Sequence, residues 1–411
     1  MSNYDPSITY CLNIHPGESL DAVREAIATH AAAVKELVAA DRPYPLGLRL
    51  SAAAAEELSA GVRVLDEFAD FIKERGFFVA GINGFPYGAF HNTAVKTAVY
   101  TPDWSTPERL KYTGRLANIL CVLLSEGAVG NISTVPLAYK SLNVEERARK
   151  ATVYARQIAV LAEFLDLLLK EEGREIVLAL EPEPDCVLEN TDEVVAWFEE
   201  ELLFEGMRWL SAGKRRTRDE AEALLRRHVG ICLDTCHFAL AFESPRTAMI
   251  RFESACIRLA RVQLSAAVRT TVSEESLRRL RDFFDPVYLH QTKIRLPLGH
   301  VLALPDLTEE TLAAAREHTS CELRTHFHVP LFYDGDAVLG STNTDLNAEF
   351  FAHVKAQGYP LEIETYTFDV LPAELRARDV VENIVREHRW VQARLEAGQS
   401  VSGVSSDSHS P

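Results

Sequence analysis

Short apolar segments alternate along the chain with longer segments in which apolar residues recur every three or four positions. Leu20, Val23 and Ile27, for example, follow the spacing of one buried helix face between the first two short segments. Strands and helices that alternate in this way predict a parallel sheet with right-handed crossover connections. The eight segments predicted to form strands are 9–14, 46–51, 77–83, 130–135, 176–181, 229–234, 260–265 and 361–367.

Eight strand–helix units favour one α/β architecture, because eight parallel strands close into a (β/α)8 barrel, also called a TIM barrel. The alternative is an open, doubly wound sheet. Many such sheets carry a G-x-G-x-x-G turn after the first strand, and Gly81, Gly84 and Gly88 do not have that motif's position or spacing. The sequence therefore predicts one TIM-barrel domain over residues 1–398.

Two stretches depart from the regular alternation. The seventh predicted strand ends at residue 265 and the eighth begins only at 361, so we expect an insertion on the barrel rim over residues 269–322. The strand-like segment LRTHFHVPLFY (323–333) then lies close to the active-site end of the barrel. Residues 399–411 are rich in serine and lack apolar periodicity, which predicts a disordered tail.

Composition and charge narrow the class of protein. Hydrophobic residues make up 47% of the chain and charged residues 25%, which is typical of a soluble globular protein with a sizeable core. The net charge of −17 opposes binding to nucleic acid, whose affinity for proteins comes largely from lysine and arginine. No apolar run is long enough for a membrane span, and no secretory signal precedes the first strand. Seven scattered cysteines without C-x-x-C spacing indicate reduced thiols in a cytoplasmic protein.

The ends of the predicted strands carry the candidate chemistry, because the active site of a TIM barrel lies at the C-terminal ends of its strands. Glu181 and Asp234 end the fifth and sixth predicted strands, and Glu364 lies in the eighth. Carboxylates gathered at one barrel mouth repel one another unless a divalent cation binds between them. We therefore interpret these three residues as metal ligands.

Other interpretations of single residues stay open. Asp234 could instead cap the helix that follows it. His326 and His328 lie on one face of a strand, where they could bind a metal or face solvent. Gln263 could bind a cation through its amide oxygen or only orient a ligand. The turn-rich segment 83–88 could provide aromatic walls for a pocket or simply form a structural turn.

Several ungapped blocks of the chain resemble the EboE family of metabolite traffic proteins. More broadly, Asp234-x-x-His237 after a strand that ends in glutamate resembles the xylose-isomerase-like TIM barrels, which include sugar isomerases, epimerases and the endonuclease IV group. The resemblance covers roughly residues 8–395. The blocks are NIHPGES (13–19), LGLRLSA (46–52), NGFPYGAFH (83–91), STVPLAYK (133–140), LEPEPDCVLE (180–189), LDTCHFA (233–239), VQLSAA (262–267), HFHVPLF (326–332) and IETYTF (363–368).

This resemblance implies a divalent metal, either manganese, magnesium, cobalt or zinc, bound after strands five to eight. Carried over to this chain, the ligands are Glu181, Asp234, Gln263 and Glu364, and Gln263 departs from the pattern because the wider class has histidine there. His328 would complete the site, since the endonuclease branch has a D-x-H motif at the place of His326-x-His328.

We assign catalysis to Glu181 and Glu364 as base and acid, with His237 bonded to a substrate carbonyl oxygen. The substrate-binding residues that we expect are His15, Asn83, Tyr87, His91, Glu183 and His326.

These observations predict a metal-dependent isomerase or epimerase for a sugar, polyol or cyclitol intermediate in secondary-metabolite biosynthesis or export. The expected partners are this small molecule and other enzymes of its pathway, without nucleic acid or a membrane span. One alternative is a metal-dependent phosphoester hydrolase of the endonuclease IV type. The other is a non-catalytic carrier or scaffold for a metabolite.

Overall fold

The computed structural model describes residues 7–91, 94–140, 143–212 and 216–402. Eight parallel strands form a nearly closed barrel with helices between them, which confirms the predicted TIM barrel. Each of the eight predicted strand segments contributes one barrel strand. In chain order the strands are β1 (Ile8–Tyr10), β2 (Tyr44–Arg49), β3 (Phe77–Asn83), β4 (Val129–Thr134), β5 (Glu175–Leu180), β6 (Val229–Asp234), β7 (Arg258–Leu264), β8 (Ala267–Thr271), β9 (Thr292–Arg295), β10 (Val301–Leu304), β11 (Glu322–His328), β12 (Leu339–Ser341) and β13 (Leu361–Ile363).

The barrel consists of β1 to β7 together with β13, in the order β1-β13-β7-β6-β5-β4-β3-β2. A parallel bridge between Cys11 and Gly47 brings β1 against β2 and so closes the ring. A Cβ atom on Gly47 would lie 2.2 Å from the carbonyl oxygen of Tyr10 and 2.6 Å from Glu362 Oε2. Only glycine permits this close approach of the two strands.

Helices surround the barrel and bury their apolar faces against it. Val23 and Ile27 of the predicted helical stripe are buried, whereas Leu37 at its far end is exposed. Two stretches of π-helix, Ile27–Ala31 and Trp197–Gly206, each join the α-helix before them to the α-helix that follows. The α-helices are α1 (Leu20–Ala26), α2 (Ala32–Val38), α3 (Ala52–Leu58), α4 (Val62–Glu74), α5 (Pro107–Leu123), α6 (Val144–Glu172), α7 (Thr191–Ala196), α8 (Met207–Ser211), α9 (Arg218–His228), α10 (Thr235–Leu240), α11 (Pro245–Ser254), α12 (Glu274–Leu280), α13 (Glu309–Ala315), α14 (Ala348–Gln357) and α15 (Val380–Ser402).

The insertion forms a second sheet of five antiparallel strands, in the order β10-β9-β11-β8-β12. It begins at Ala267, directly after β7, and its last strand ends at Ser341. The sheet is therefore larger than the predicted insertion, 269–322, because β11 and β12 also belong to it. β11 carries most of the segment 323–333 and lies between β9 and β8, and Val329 beyond it donates a backbone hydrogen bond to Ala266. This pairing fixes the segment beside the C-terminal end of β7.

The C-terminal stretch differs from its prediction at the boundary. α15 continues to Ser402, three residues past the predicted start of the tail at residue 399, and residues 403–411 lie outside the described residues. None of the described helices combines the length and apolar character that crossing a membrane requires. All seven cysteines are unpaired, and five of them are buried.

Candidate functional site

Three carboxylates that are far apart in sequence meet at the C-terminal mouth of the barrel. Glu181 follows β5, Asp234 ends β6 and Glu364 follows β13, and all three side chains are buried. One oxygen of each residue lies within 4.8 Å of the others. We call these three residues the carboxylate cluster.

Asp234 caps helix α10 with one carboxylate oxygen and directs the other toward the carboxylate cluster. Its Oδ1 accepts backbone hydrogen bonds from Cys236 (2.8 Å) and His237 (3.1 Å), so it caps α10 as one sequence interpretation predicts. The hydroxyl of Ser265 donates a third hydrogen bond to the same oxygen at 2.6 Å. Burial raises the pKa of Asp234, but the nearby imidazoles of His237 and His328, helped by the hydrogen bonds from Ser265 and the His237 backbone, outweigh burial and hold that pKa below its usual range. Its second oxygen, Oδ2, stays turned toward the carboxylate cluster.

Gln263, on β7, lies between the three carboxylates and is fully buried. Its amide nitrogen Nε2 donates to Glu364 Oε2, lies 3.0 Å from Glu181 Oε1 and lies 3.4 Å from Asp234 Oδ2. Its oxygen Oε1 accepts from the thiol of Cys232 at 3.0 Å. Gln263 therefore turns N–H groups, and not its oxygen, toward the carboxylates.

This orientation corrects the expectation that Gln263 is a metal ligand. An amide nitrogen offers hydrogens and no lone pair for a cation, so only the amide oxygen could bind a metal. In the structure that oxygen points at Cys232. The predicted four-residue set of Glu181, Asp234, Gln263 and Glu364 thus does not fit a metal ion in this arrangement.

Three histidines beside the carboxylates belong to further groups of potential metal ligands, each of which also includes Asp234, Glu183 or Cys236. His237 lies in the first turns of α10, and His326 and His328 lie on β11. The Nε2 atom of His326 is 3.2 Å from Nε2 of His237 and 3.3 Å from Nε2 of His328. A tetrahedral zinc ion bound at about 2.0–2.1 Å separates its ligand atoms by about 3.3 Å. We call these residues the three-histidine site.

The protonation pattern of the three rings supports this fit. Nδ1 of His237 donates to the carbonyl oxygen of Pro182 at 2.9 Å, and Nδ1 of His328 donates to that of Glu364 at 2.6 Å. Nδ1 of His326 donates to the side-chain oxygen of Gln291 at 2.8 Å. A neutral imidazole with its hydrogen on Nδ1 carries a lone pair on Nε2, and oxygen partners on the far nitrogen are typical of metal-binding histidines.

The electrostatics favour one positive charge at this point. Burial lowers the pKa of His328 to about 4 and the pKa of His326 well below its ordinary value, so both rings are neutral. Burial also opposes charge on His237, but the carboxylates of Asp234, Glu183 and Glu181 outweigh it and raise the pKa of that ring. A cation held by all three nitrogens satisfies the same field.

Two glutamates beside the histidines have perturbed acidity. Burial raises the pKa of Glu181 to about 8, and its Oε2 atom is buried without a hydrogen-bond partner. Burial also raises the pKa of Glu183 to about 7, and its Oε1 accepts from the hydroxyl of Tyr100 at 2.8 Å. Carboxyl groups with acidity near neutral pH in a cavity can donate or accept protons in catalysis.

A cavity opens above the two clusters. Glu181, Glu183, Glu364, His237 and His326 form its polar floor. Its walls are largely aromatic and aliphatic, and come from the segment after β3, from the insertion and from the segment after β13. The main wall residues are Phe85, Phe90, Val99, Tyr100, Tyr288 and Tyr366.

Lys96 is the one lysine or arginine among the described residues that line this cavity. Its Nζ atom is 2.6 Å from Asp306 Oδ2 and 2.9 Å from the carbonyl oxygen of Asp285, so its charge is already paired. The described residues therefore give the cavity an acidic and imidazole floor, apolar walls and no unpaired lysine or arginine for a phosphate group.

The structure brings together most, but not all, of the predicted site residues. All three predicted catalytic residues, Glu181, Glu364 and His237, line the cavity, as do Asn83, Glu183 and His326 of the predicted substrate-binding set. Three others of that set do not reach it.

His15 stacks on the ring of His30 with 4.3 Å between ring centroids, and Tyr87 packs against Tyr112. His91 lies one layer outside the cavity and donates to the carbonyl oxygen of Asn13 at 2.7 Å. These three assignments to substrate contact stay predictions, and the ring partners of His15 and Tyr87 are residues other than those that line the cavity.

Two polar residues outside the predicted set of site residues complete the site. Asn13, after β1, donates from Nδ2 to Glu364 Oε1 at 2.5 Å, and Asn83 donates to the same atom at 3.4 Å. Gln291 orients His326 and donates to the carbonyl oxygen of Pro184 at 3.0 Å. Asn13 ends a strand segment and could have been selected for that reason. Gln291 lies in the insertion and carries no such signal.

Comparison with solved structures finds the same fold. A xylose isomerase domain protein from Planctomyces limnophilus matches with a TM-score of 0.50 over 97% of this chain and 99% of that chain, at 12% identity. A xylose isomerase-like TIM barrel protein from Mycobacterium smegmatis, in complex with magnesium, matches with a TM-score of 0.49 over 96% and 97%, at 13% identity. The IOLI protein with a bound zinc atom matches with a TM-score of 0.47 over 95% and 98%, at 12% identity.

At these identities the likeness defines the fold alone. No protein-family model matches the chain, and no curated protein matches it. The fold and topology define a TIM barrel, and the solved structures that it matches include xylose-isomerase-like barrels. At the C-terminal mouth, where such barrels have their active sites, the described residues form four overlapping groups of three potential metal ligands.

Proposed function

We propose that the protein is a metal-dependent enzyme that isomerises or epimerises a neutral sugar, polyol or cyclitol. The observation that carries this proposal is the approach of the His237 and His326 Nε2 atoms to 3.2 Å, on the floor of a cavity that Glu181, with its unpaired Oε2 atom, also lines. A metal site next to a proton acceptor is the combination that proton transfer at carbon requires.

The residues that would hold the metal are His237, His326 and His328. Imidazole ligands suit zinc, cobalt and related transition metals, whereas magnesium prefers oxygen ligands. We therefore favour zinc or cobalt over magnesium and manganese. When bound, such an ion acts as a Lewis acid that polarises a substrate oxygen and acidifies the neighbouring C–H group.

We assign the removal of that proton to Glu181, because its Oε2 atom is free of hydrogen bonds. Glu364 accepts amide hydrogens from Asn13, Asn83 and Gln263, so its oxygens are already engaged. We therefore assign Glu364 to holding the cluster in place and give the second proton transfer to Glu183. The hydroxyl of Tyr100 orients Glu183 toward the cavity.

The cavity walls favour a neutral substrate over a phosphoester. A phosphate group requires unpaired cationic or N–H donors, and the charge of Lys96 is already paired with Asp306. Aromatic rings such as Phe90 and Tyr288 suit the apolar face of a sugar or cyclitol ring. The aromatic walls place the isomerase ahead of the hydrolase alternative, whereas a metal ion at the histidines would bind a phosphate group as well as a sugar oxygen. The resemblance to the EboE family supports a substrate from secondary-metabolite biosynthesis or export.

Hydrogen exchange at carbon tests the proposal. The zinc- or cobalt-loaded protein would be incubated in D2O with fructose and, separately, with 2-keto-myo-inositol, and deuterium at carbon followed by NMR. We expect exchange in at least one probe, its loss in Glu181→Gln, and its retention in Glu36→Gln on the exposed face of α2. Probe binding without exchange supports the carrier alternative, and phosphate release from p-nitrophenyl phosphate supports the hydrolase.

A further inference from the structure

We propose that the side-chain amide of Gln263 takes the place of a cation between Glu181, Asp234 and Glu364, so that the chain binds one metal ion and not two. The single ion is the one in the three-histidine site. This inference deepens the proposed function. The part that rests on the proposed function is the binding of a metal ion at the three-histidine site.

The first argument is the position of the amide nitrogen. Nε2 of Gln263 is within hydrogen-bond reach of one oxygen from each of Glu181, Asp234 and Glu364. One oxygen of each of these three residues also lies within 4.8 Å of the others, as the ligands of one metal ion would. The amide therefore points two hydrogens at the centre of the only all-carboxylate group of potential ligands among the described residues, where a cation would need lone pairs.

The second argument is that the amide orientation is fixed from behind. The Cys232 thiol, itself fully buried, donates to Oε1 of Gln263 at 3.0 Å. Turning the amide over would place its oxygen against oxygens of Glu181, Asp234 and Glu364, and would direct its N–H group at a sulfur that is only a weak acceptor. Both changes are unfavourable in a buried site, so the observed orientation is the stable one.

The third argument is that neutral donors already satisfy most of the cluster. Oδ1 of Asp234 accepts three hydrogen bonds from α10 and from Ser265. Oε1 of Glu364 accepts from two asparagine side chains. Oε2 of Glu181 is the one carboxylate oxygen of the cluster that is buried without a partner. Most oxygens of the cluster therefore have hydrogen-bond partners without a metal ion.

The substitution Gln263→His tests this idea by gain of binding. Imidazole is close to glutamine in size, and it replaces the N–H donor at the centre with a nitrogen that can carry a lone pair. The three carboxylates and that nitrogen would then form a complete four-ligand site. Gln157→His is the matched control, because Gln157 lies on α6 and bonds to the carbonyl oxygen of Trp104, away from both clusters.

Metal content is the readout. Each full-length protein would be equilibrated with excess zinc, and separately with manganese, then desalted and measured by elemental analysis and circular dichroism. We expect one equivalent of metal in the wild type, one in Gln157→His and two in Gln263→His. One equivalent in Gln263→His, with no gain over the wild type, would overturn the inference. Two equivalents in the wild type also overturn the inference.

The stoichiometry separates this inference from the proposed function. One outcome is no metal in the wild type and one equivalent in Gln263→His. It would show that the histidines bind no metal, which contradicts the proposed function, and it would still support the role of Gln263. If circular dichroism shows that Gln263→His does not fold, anomalous diffraction from wild-type crystals soaked in manganese or zinc decides the question. A peak between Glu181 and Glu364 overturns the inference, and a peak confined to the three histidines supports it.

Discussion

His237 and His326 face each other through their Nε2 atoms, which lie 3.2 Å apart. The Nδ1 atom of each ring is engaged with an oxygen, from Pro182 and Gln291 respectively. Two imidazoles held in this way face each other favourably only when a proton or a metal ion lies between their Nε2 atoms, and the raised pKa of His237 supplies that proton when no metal is bound. The relationship of these two rings is the basis for placing a metal at the histidines and not at the carboxylates.

Metal removal should destabilise the protein. A ligand that binds only the folded state stabilises it by about 2.7 kcal/mol when its free concentration is a hundredfold above Kd. We therefore expect the zinc-loaded protein to lose several degrees in Tm when a chelator is added, as measured by differential scanning calorimetry. His326→Asn should melt at the same temperature with and without chelator. An equal chelator effect on both proteins would contradict the assignment of His326 as a ligand.

Barrel closure should depend on Gly47. Gly47→Ala places a Cβ atom 2.2 Å from the carbonyl oxygen of Tyr10, a backbone atom that cannot move without opening the β1–β2 contact. We expect a loss of at least about 3 kcal/mol in the free energy of unfolding, measured by urea denaturation.

Gly114→Ala is the control for this prediction. Gly114 lies inside α5, and a Cβ atom there meets no other group within 4 Å. Alanine at that helix position should stabilise the protein by up to about 1 kcal/mol. Similar destabilisation by both substitutions would show that the close approach at Gly47 is not required.

Glu387 should give the protein a defined pH dependence. Burial in α15 raises the pKa of its carboxyl from 4.5 to about 7, although Thr365 and Asn383 donate hydrogen bonds to it. Because the pKa in the folded state is raised, this group's stabilising contribution is fully present below pH 4.5 and is lost as the pH rises through 7.

Glu387→Gln keeps the shape of the side chain but does not titrate. Between pH 5 and pH 8 the wild type should therefore lose about 2.5 kcal/mol more stability than this variant, measured by urea denaturation at both pH values. The exposed substitution Glu36→Gln should retain the wild-type slope. Parallel pH profiles for the wild type and Glu387→Gln would refute the prediction.

The sequence predicted the barrel and the carboxylate cluster because both follow from local patterns. An apolar strand that ends in a carboxylate, as before Glu181 and Asp234, places that carboxylate at the mouth once the strands are parallel. Adjacent parallel strands have their C-terminal ends at the same edge of the sheet, so this meeting can be predicted without information on side-chain packing. The eight strand segments therefore sufficed to predict which carboxylates would meet.

The orientation of side chains could not be predicted, since it depends on contacts between distant elements. Gln263 turns its nitrogen toward the carboxylates because a thiol from β6 occupies its other side. His15 follows a strand as a site residue would, but a short turn at 12–14 carries it to a stacking contact with His30. Gln291 lies in an insertion without a regular pattern, so no sequence signal marked it.

The metal content of the wild type and of a double variant tests the central claim most directly. Both His326→Asn/His328→Asn and the wild type would be purified, equilibrated with excess zinc, desalted and measured by elemental analysis, with circular dichroism to confirm folding. The account predicts one equivalent of zinc in the wild type and none in the folded double variant. Equal zinc in the two proteins, or none in the wild type, would contradict it.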